Sequence, residues 1–357
     1  MNITKEMMEY YTEWSKTRLE DSLTHLENSG LKSAHSAKWH AMRSVTIGGS
    51  DVGAIAGLNK YSTALQCFNS KTMRAMPFSG NFATRLGACE EDFIANELKY
   101  TLSDVKILGG TSYVDKAHPW RAAQIDNQAL VNGVKCNIEC KTAAFAVGEW
   151  GQPCTILDGQ IVEESDLVPQ SYIAQCLYGL ALANIQEPDS VKYCLLLAHI
   201  GAEREIRVYK INRNPELEEM LLNIADDFIF NHLMPDVPPK ATNQEVAAQF
   251  KSAKSATKAE IVIQNGENLA VKMLHLKQKI DALQEQYSDL EDELKAEMKD
   301  SEIAKDSAGH ILATWKSSTS KRFDSTKFKK EQTELYNQYL KESISRRFLF
   351  KFNELTA

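Results

Sequence analysis

RAAQIDNQALVNGVKCNIECK, residues 121–141, is broken in its middle by Asn132-Gly133. That dipeptide is favoured in two-residue hairpin loops, where both central residues need positive φ. The stretch therefore reads as two antiparallel strands, about 121–131 and 134–141, whose register the loop fixes. Pairing Val131 with Val134 sets Asp126 opposite Glu139 and Gln124 opposite Lys141. Strict alternation then sends Asp126, Gln124, Glu139 and Lys141 to one open face, and Ile125, Ile138 and Cys140 to the other. Two opposed carboxylates, with Cβ atoms about 5 Å apart, repel each other unless a cation lies between them. Magnesium suits such a site, because it accepts few carboxylates, keeps several waters and leaves positions for phosphate oxygens. Lys141, one pleat along, falls within reach of a scissile phosphate or an attacking water. The alternative is an exposed face that carries these charges by chance.

The flanking sequence supplies an α/β frame. Residues 1–30 read as a helix with Met7, Tyr11, Trp14, Leu19 and Leu23 on a roughly helical period, ending near Asn28 and Gly30. In WHAMRSVTIGGSDVGAIAGLNKY (39–61), Gly48 and Gly49 interrupt the chain just before Ser50 and Asp51, either of which suits a helix cap. A helix over 86–99 carries Leu86, Cys89 and Phe93 along one side and carboxylates at Glu90 and Glu91. Strands are expected at 105–114, 191–199 and 205–211, and helices at about 169–183 and 215–232.

With 357 residues the chain exceeds what a single core usually organises. MPDVPPKATNQ (234–244), with three prolines, is the best linker. The expected division is a catalytic domain over 1–235, a linker over 236–260 and a helical C-terminal region over 261–357. In the last, Leu269, Met273, Leu276, Ile280, Leu283, Tyr287, Leu290 and Leu294 alternate spacings of four and three, the pattern of a coiled-coil seam. The helix is expected to pack, either in a hairpin with another C-terminal helix or by self-association.

Composition narrows the class. The 43% hydrophobic and 25% charged content is that of a soluble globular protein, and no run of about 18 apolar residues or signal-peptide core occurs, so a cytoplasmic location without membrane contact is expected. Seven cysteines, an odd number without CxxC spacing, suit reduced core thiols better than disulfides, zinc or an iron–sulfur cluster. Cys136 and Cys140, four apart on one strand, should share a buried face. The net charge of −7 conceals an asymmetry: residues 310–352 hold ten basic and four acidic residues, +6, leaving −13 for the remainder. That distribution permits nucleic acid as a partner, although a solvated helix face explains it as well.

Asp126 followed by Ile138, Glu139, Cys140 and Lys141 resembles the D…ExK signature of the PD-(D/E)XK nuclease superfamily. Three further motifs resemble those of the YqaJ-type viral recombinases and phage lambda exonuclease: WHAMRSVTIGGSDVGAI with Arg43 and Ser50, Gly87 with Glu91 four residues later, and VPQSYIAQCLYGL with Tyr172 and Gln175 one turn apart. The resemblance covers roughly 37–235 with all four motifs in family order. Less specifically, TWKSSTSKRFDSTKFKK and YNQYLKESISRRFLFKF look like the family's C-terminal tail. It implies a PD-(D/E)XK core, a mixed sheet with flanking helices, plus the helical extension. It also implies that Asp126, Glu139 and the Cys140 backbone carbonyl bind Mg2+, with Mn2+ as a substitute. Lys141 would position or activate water, and Glu91, or its neighbour Glu90, would assist the metal. Arg43 and Ser50 would hold a 5′ phosphate, with Gln124 where the family usually has a serine, and Tyr172 and Gln175 would support the site.

The implied activity is a magnesium-dependent exonuclease, 5′ to 3′ on linear duplex DNA, acting in phage-type recombination with a single-strand annealing protein and as a homo-oligomeric ring. A phage or prophage origin goes with that resemblance. Rival readings are a PD-(D/E)XK endonuclease of repair or restriction and a noncatalytic DNA-binding scaffold. Outside the family, Arg43 reads as an ordinary surface salt bridge, and Tyr172 and Gln175 as a helix flank.

Overall fold

A computed structural model describes residues 3–33, 35–145, 150–164, 168–242, 245, 263, 264, 266–307, 309, 311–317 and 323–340. The chain divides into two units, Met1–Thr242 and Asn243–Ala357. No helix among the described residues is long and apolar enough to cross a membrane.

The first unit is built on a five-stranded mixed sheet in the order β1-β2-β3-β6-β7, from Val105–Val114, Ala122–Val131, Val134–Ala143, Tyr193–Ile200 and Glu205–Asn212. Only β3 and β6 run parallel, joined by a crossover that contains helix α6 (Gln170–Gln186). A small hairpin, β4 (Thr155–Leu157) with β5 (Gln160–Glu163), lies in the same crossover and was not foreseen. Helices α1 (Lys5–Ser29), α2 (Ala37–Val45), α3 (Gly49–Ile55), α4 (Ala64–Lys71), α5 (Phe82–Thr101) and α7 (Pro215–Phe228) complete the unit. Helix α7 ends in a π turn, Ile229–Leu233, where the sequence suggested continuous α-helix.

Two apolar layers fill the spaces on either side of the sheet. One joins Leu177, Tyr178 and Leu180 of α6 and Leu221 and Phe228 of α7 to Leu196, Ala198 and Tyr209. The other joins Ile94, Ala95 and Leu98 of α5 to Cys136, Ile138, Cys140, Leu195 and Leu197. Strand β6 reads YCLLLAHI because both its faces are covered. Cys136 and Cys140 share the buried face expected of them, and Cys89 alone among the seven thiols is exposed. Leu86, Cys89 and Phe93 do lie along one side of α5, but that side meets solvent, and Ile94, Ala95 and Leu98 face the sheet.

The hairpin loop has the expected form, with φ of 51° at Asn132 and 76° at Gly133, and Val131 pairs with Val134. Strict alternation fails further on. Between the pairs Gly109–Gln128 and Thr111–Ile125, two steps along β1 match three along β2, so β2 bulges at Asp126-Asn127. Gly110 lets β1 follow the bulge, since a Cβ there would stand 2.9 Å from the Asp126 carbonyl oxygen. The bulge turns Ile125 into the α6 layer, away from Ile138 and Cys140, which corrects the expectation that the three share a face. The β2–β3 ladder ends at Asn127–Ile138, so the pairings Asp126–Glu139 and Gln124–Lys141 do not form. Beyond that point β3 follows β6, with Glu139 beside Leu196.

One buried charge network ties the entrance of β2 to α7. Asp226 accepts from Trp120 Nε1 at 2.8 Å and from Arg121 Nε at 2.8 Å and Nη2 at 2.6 Å. Arg121 Nη1 donates to Asp115 at 3.0 Å, so the buried acids are paired and hydrogen-bonded.

In the second unit, α8 (Gly266–Met298) is a single 33-residue helix, followed by the hairpin β8 (Ile303–Lys305) and β9 (Ile311–Thr314) and by α9 (Ser325–Glu331) and α10 (Thr333–Gln338). Of the ten basic residues read between 310 and 352, Lys316, Lys327, Lys329 and Lys330 are described; the other six lie outside the described residues.

Candidate active site

Asp126 and Glu139 flank the point where β2 and β3 part. The backbone N–H of Cys140 donates to Asp126 Oδ2 at 2.8 Å, taking the carboxylate in place of a ladder partner. Glu139 turns toward α6 and is only 3% exposed, not the open position that simple alternation suggested. Gln175 Nε2 donates to Glu139 Oε1 at 2.5 Å, and Lys141 Nζ makes a close ion pair with the same oxygen. The Lys141 ammonium also lies 5.3 Å from the centre of the Tyr172 ring. Tyr172 and Gln175, one turn apart on α6, therefore grip the two charged residues of the ExK segment from one side.

The electrostatics bind these groups into one cluster. Burial raises the Glu139 carboxyl; Lys141 pulls it back, and Asp126 and Glu91 push it up again, to about 7. Glu91 is likewise raised by burial and by Asp126. Burial works against the Lys141 ammonium, yet Glu139 and Asp126 hold its pKa above the usual lysine value. Glu90, the alternative to Glu91, is occupied elsewhere, because His199 Nδ1 lies 2.8 Å from its Oε2. Helix α5 comes close to β3 at Gly87, where a Cβ would stand 3.3 Å from Thr142 Oγ1. Gln124 is exposed, and its side chain makes no hydrogen bond among the described residues.

Arg43 and Ser50 come together at the start of α3. Arg43 Nη2 donates to Ser50 Oγ at 3.2 Å and to Asp51 Oδ1 at 2.8 Å, and its guanidinium lies 5.0 Å from the centre of the Trp39 ring. The cap of α3 is Gly48, not Ser50 or Asp51; Asp51 instead reaches back to accept from Gly48 N at 2.8 Å. Lys71 completes the group and was missed. Its buried Nζ donates to Asp51 Oδ2 at 2.9 Å and to the carbonyls of Arg43 and Thr46 at 2.7 Å each. Burial alone would raise the Asp51 carboxyl, but Arg43, Lys71 and the Gly48 amide outweigh it and hold it at about 2. The Thr63-x-x-Gln66 capping box marks the helix that carries Lys71 and was a usable signal.

The two groups meet through α6. A Cβ on Gly49 would lie 3.1 Å from Gln175 Cγ, so the glycine permits α3 to rest on the residue that holds Glu139. Ile47 joins the entrance of β2, its N–H donating to Trp120 O at 2.6 Å and its carbonyl accepting from Ala122 N at 3.1 Å and Tyr178 Oη at 3.1 Å. A cavity of about 320 Å³ opens along Thr142 and Tyr172, with Lys60, Tyr61 and Trp150 in its wall.

Fold and site together define an α/β domain with an acidic cluster and one lysine at diverging strands, beside a second, cationic group. Residues 38–186 match the family model described as YqaJ-like viral recombinase domain, so the resemblance carried by the four motifs is borne out over that stretch. The chain is also 29% identical over 325 residues to the uncharacterized protein YqaJ of Bacillus subtilis (strain 168), covering 88% of this chain and 93% of that one. Among solved structures, an alkaline exonuclease (LHK-Exo) from Laribacter hongkongensis matches 57% of this chain and 94% of its own at 12% identity and a TM-score of 0.39. The same exonuclease in complex with dAMP gives 11% identity and a TM-score of 0.40 over the same shares of the two chains. SSO0001 gives 15% identity and a TM-score of 0.31, covering 66% of this chain and 96% of that one.

Proposed function

We propose that this chain is a metal-dependent exonuclease that degrades linear duplex DNA from the 5′ end during phage-type recombination. The observation that carries the reading is the placement of Glu139: a buried carboxyl, paired with the Lys141 ammonium, beside Asp126 at the point where β2 and β3 part, and raised there by burial and by the neighbouring acids. A cation bound there would restore its charge. The family match over 38–186 supports the recombination setting.

Asp126, Glu139 and the Cys140 carbonyl would hold the ion, with Glu91 assisting. These donors are all oxygen, which fits a hard divalent ion, Mg2+ first and Mn2+ as a substitute. No three His, Cys, Asp or Glu side chains among the described residues close into a cage, so the protein would supply part of the shell and leave the rest to water and phosphate. Bound there, the ion would neutralise phosphate charge and acidify water. Lys141 keeps its proton against burial, so it serves as a fixed cation toward the phosphate and orients water. Gln175 and Tyr172 hold Glu139 and Lys141 in place.

Arg43, steered by Asp51, would bind a terminal 5′ phosphate with Ser50, and Gln124 would contact the DNA from the exposed side of β2. With Lys71 balancing Asp51, the group retains one net positive charge. A terminal monoester carries more negative charge than an internal diester, so this charge favours ends. Transfer of the exposed strand to a single-strand annealing protein, and a ring-shaped homo-oligomer, follow from the same family reading.

The test compares linear duplex bearing a 5′ phosphate, the same duplex bearing a 5′ hydroxyl, and covalently closed circles, each in magnesium and in chelator. Fast magnesium-dependent loss of the phosphorylated ends, slower loss of the hydroxyl ends and intact circles are expected. Efficient cutting of circles would make the protein an endonuclease, and no cleavage of any substrate would leave a binding scaffold.

A further inference from the structure

Helix α8 carries leucine at every seventh position, Leu269, Leu276, Leu283 and Leu290, with Met273, Ile280, Tyr287 and Leu294 between them. These are the d and a positions of a heptad repeat. Apart from Met273 they are 37–70% exposed, an apolar strip about 38 Å long at 1.5 Å per residue. A continuous strip of this kind marks an interaction surface.

The flanking charges say what fits it. Lys272, Lys279, Gln286 and Glu293 occupy the g positions, and Ala270, Lys277, Gln284 and Glu291 the e positions. The amino-terminal half of the helix, to Leu283, sets Lys272, Lys277 and Lys279 against Glu267 and Asp281. The carboxyl-terminal half sets Glu285, Asp289, Glu291, Asp292, Glu293 and Glu297 against Lys295 alone. Lys272 and Glu293 form no ion pair among the described residues. In a parallel pair of α8 helices, g faces e of the next heptad, and Lys272 meets the partner's Lys277, a repulsion repeated by symmetry.

The antiparallel arrangement removes that conflict. Leu269 packs beside the partner's Leu294, Met273 beside the partner's Leu290, Leu276 beside the partner's Tyr287, and Ile280 beside the partner's Leu283. Every seam residue is used. Here g faces g, so Lys272 meets the partner's Glu293 twice, and the basic half of each helix lies along the acidic half of the other. We propose that α8 pairs two copies of this chain as an antiparallel coiled coil with its twofold axis between Ile280 and Leu283. The proposal does not depend on nuclease activity.

Sedimentation velocity on the full chain tests it. Leu276→Asp/Leu283→Asp should halve the mass of the assembly while circular dichroism retains the helical signal of the first unit. Lys272→Glu, which leaves the seam intact, should weaken association roughly tenfold at low salt, and Lys272→Glu/Glu293→Lys should restore it. An assembly mass unaffected by the leucine pair would overturn the proposal. So would tighter association of Lys272→Glu, the outcome that parallel pairing requires.

Discussion

The backbone N–H of Cys140 donates to the Asp126 carboxylate at 2.8 Å, at the point where β2 and β3 stop pairing. Asp126 thus satisfies a buried donor as well as lining the acidic cluster, and the two roles respond differently to substitution. Asp126→Asn keeps an acceptor for Cys140 and should fold with stability within about 1 kcal/mol of wild type. Asp126→Ala orphans that N–H and should cost about 1–3 kcal/mol in denaturant unfolding. Both variants should lose metal-dependent cleavage, because neither retains the carboxylate.

Glu139 gives the protein a pH signature. Its carboxyl is raised from 4.5 to about 7 in the fold, so the metal-free native state binds more protons than the unfolded chain between those values. Stability contributed by this group is present below pH 4.5 and lost as pH rises through 7, on the order of 3 kcal/mol. Metal affinity should move the other way, weakening up to about tenfold for each unit below pH 7 as protons compete for the carboxylate. Metal titrations between pH 5.5 and 8 check the second effect, and urea unfolding in chelator checks the first. A flat profile in both would contradict the assignment.

Asp51 has the opposite sign. Its carboxyl falls from 3.8 to about 2, so it contributes about 2 kcal/mol above pH 3.8 that is lost as pH falls through 2. Asp51→Asn leaves the buried Lys71 ammonium with carbonyl partners only and should destabilise by about 3 kcal/mol. It should also release Arg43 and shrink the preference for 5′-phosphorylated ends. Unfolding free energies, with initial rates on the two end types, decide both points.

Asp226 is fully buried and accepts from Trp120 and Arg121. Asp226→Ala leaves the buried Arg121 guanidinium with Asp115 as its one carboxylate partner and should cost about 3–5 kcal/mol. The acidic cluster lies elsewhere on the sheet, so DNA cleavage by the folded fraction at low temperature should persist. Loss of cleavage without loss of stability would tie Asp226 to the chemistry.

The Asn132-Gly133 loop and the flanking apolar runs made the hairpin legible, because a two-residue loop with positive φ allows one register near the turn. Six residues on, that register no longer held. The bulge at Asp126-Asn127 depends on Gly109 and Gly110 of a neighbouring strand, and the departure of β3 depends on β6, more than fifty residues later. Such tertiary causes leave no local mark. For the same reason Glu139 reads as an exposed charge in sequence but is buried under α6, whose Gln175 and Tyr172 were recognisable only through family motifs. Lys71 was hidden in an ordinary amphipathic helix. What sets Glu90 apart from Glu91 is its contact with His199, a residue on β6 with no motif of its own. The heptads of α8 were legible at once, since their period is a property of one helix.

Under the proposed function, the Asp126, Glu139 and Lys141 cluster hydrolyses DNA with a bound divalent ion. Single-turnover digestion of a 5′-phosphorylated linear duplex in saturating magnesium, comparing wild type with Glu139→Gln while DNA binding is followed in parallel, tests it most directly. Steady release of nucleotides by wild type, abolished by chelator, and a rate about a thousandfold lower in Glu139→Gln with DNA binding retained are expected. A Glu139→Gln rate near that of wild type would contradict it.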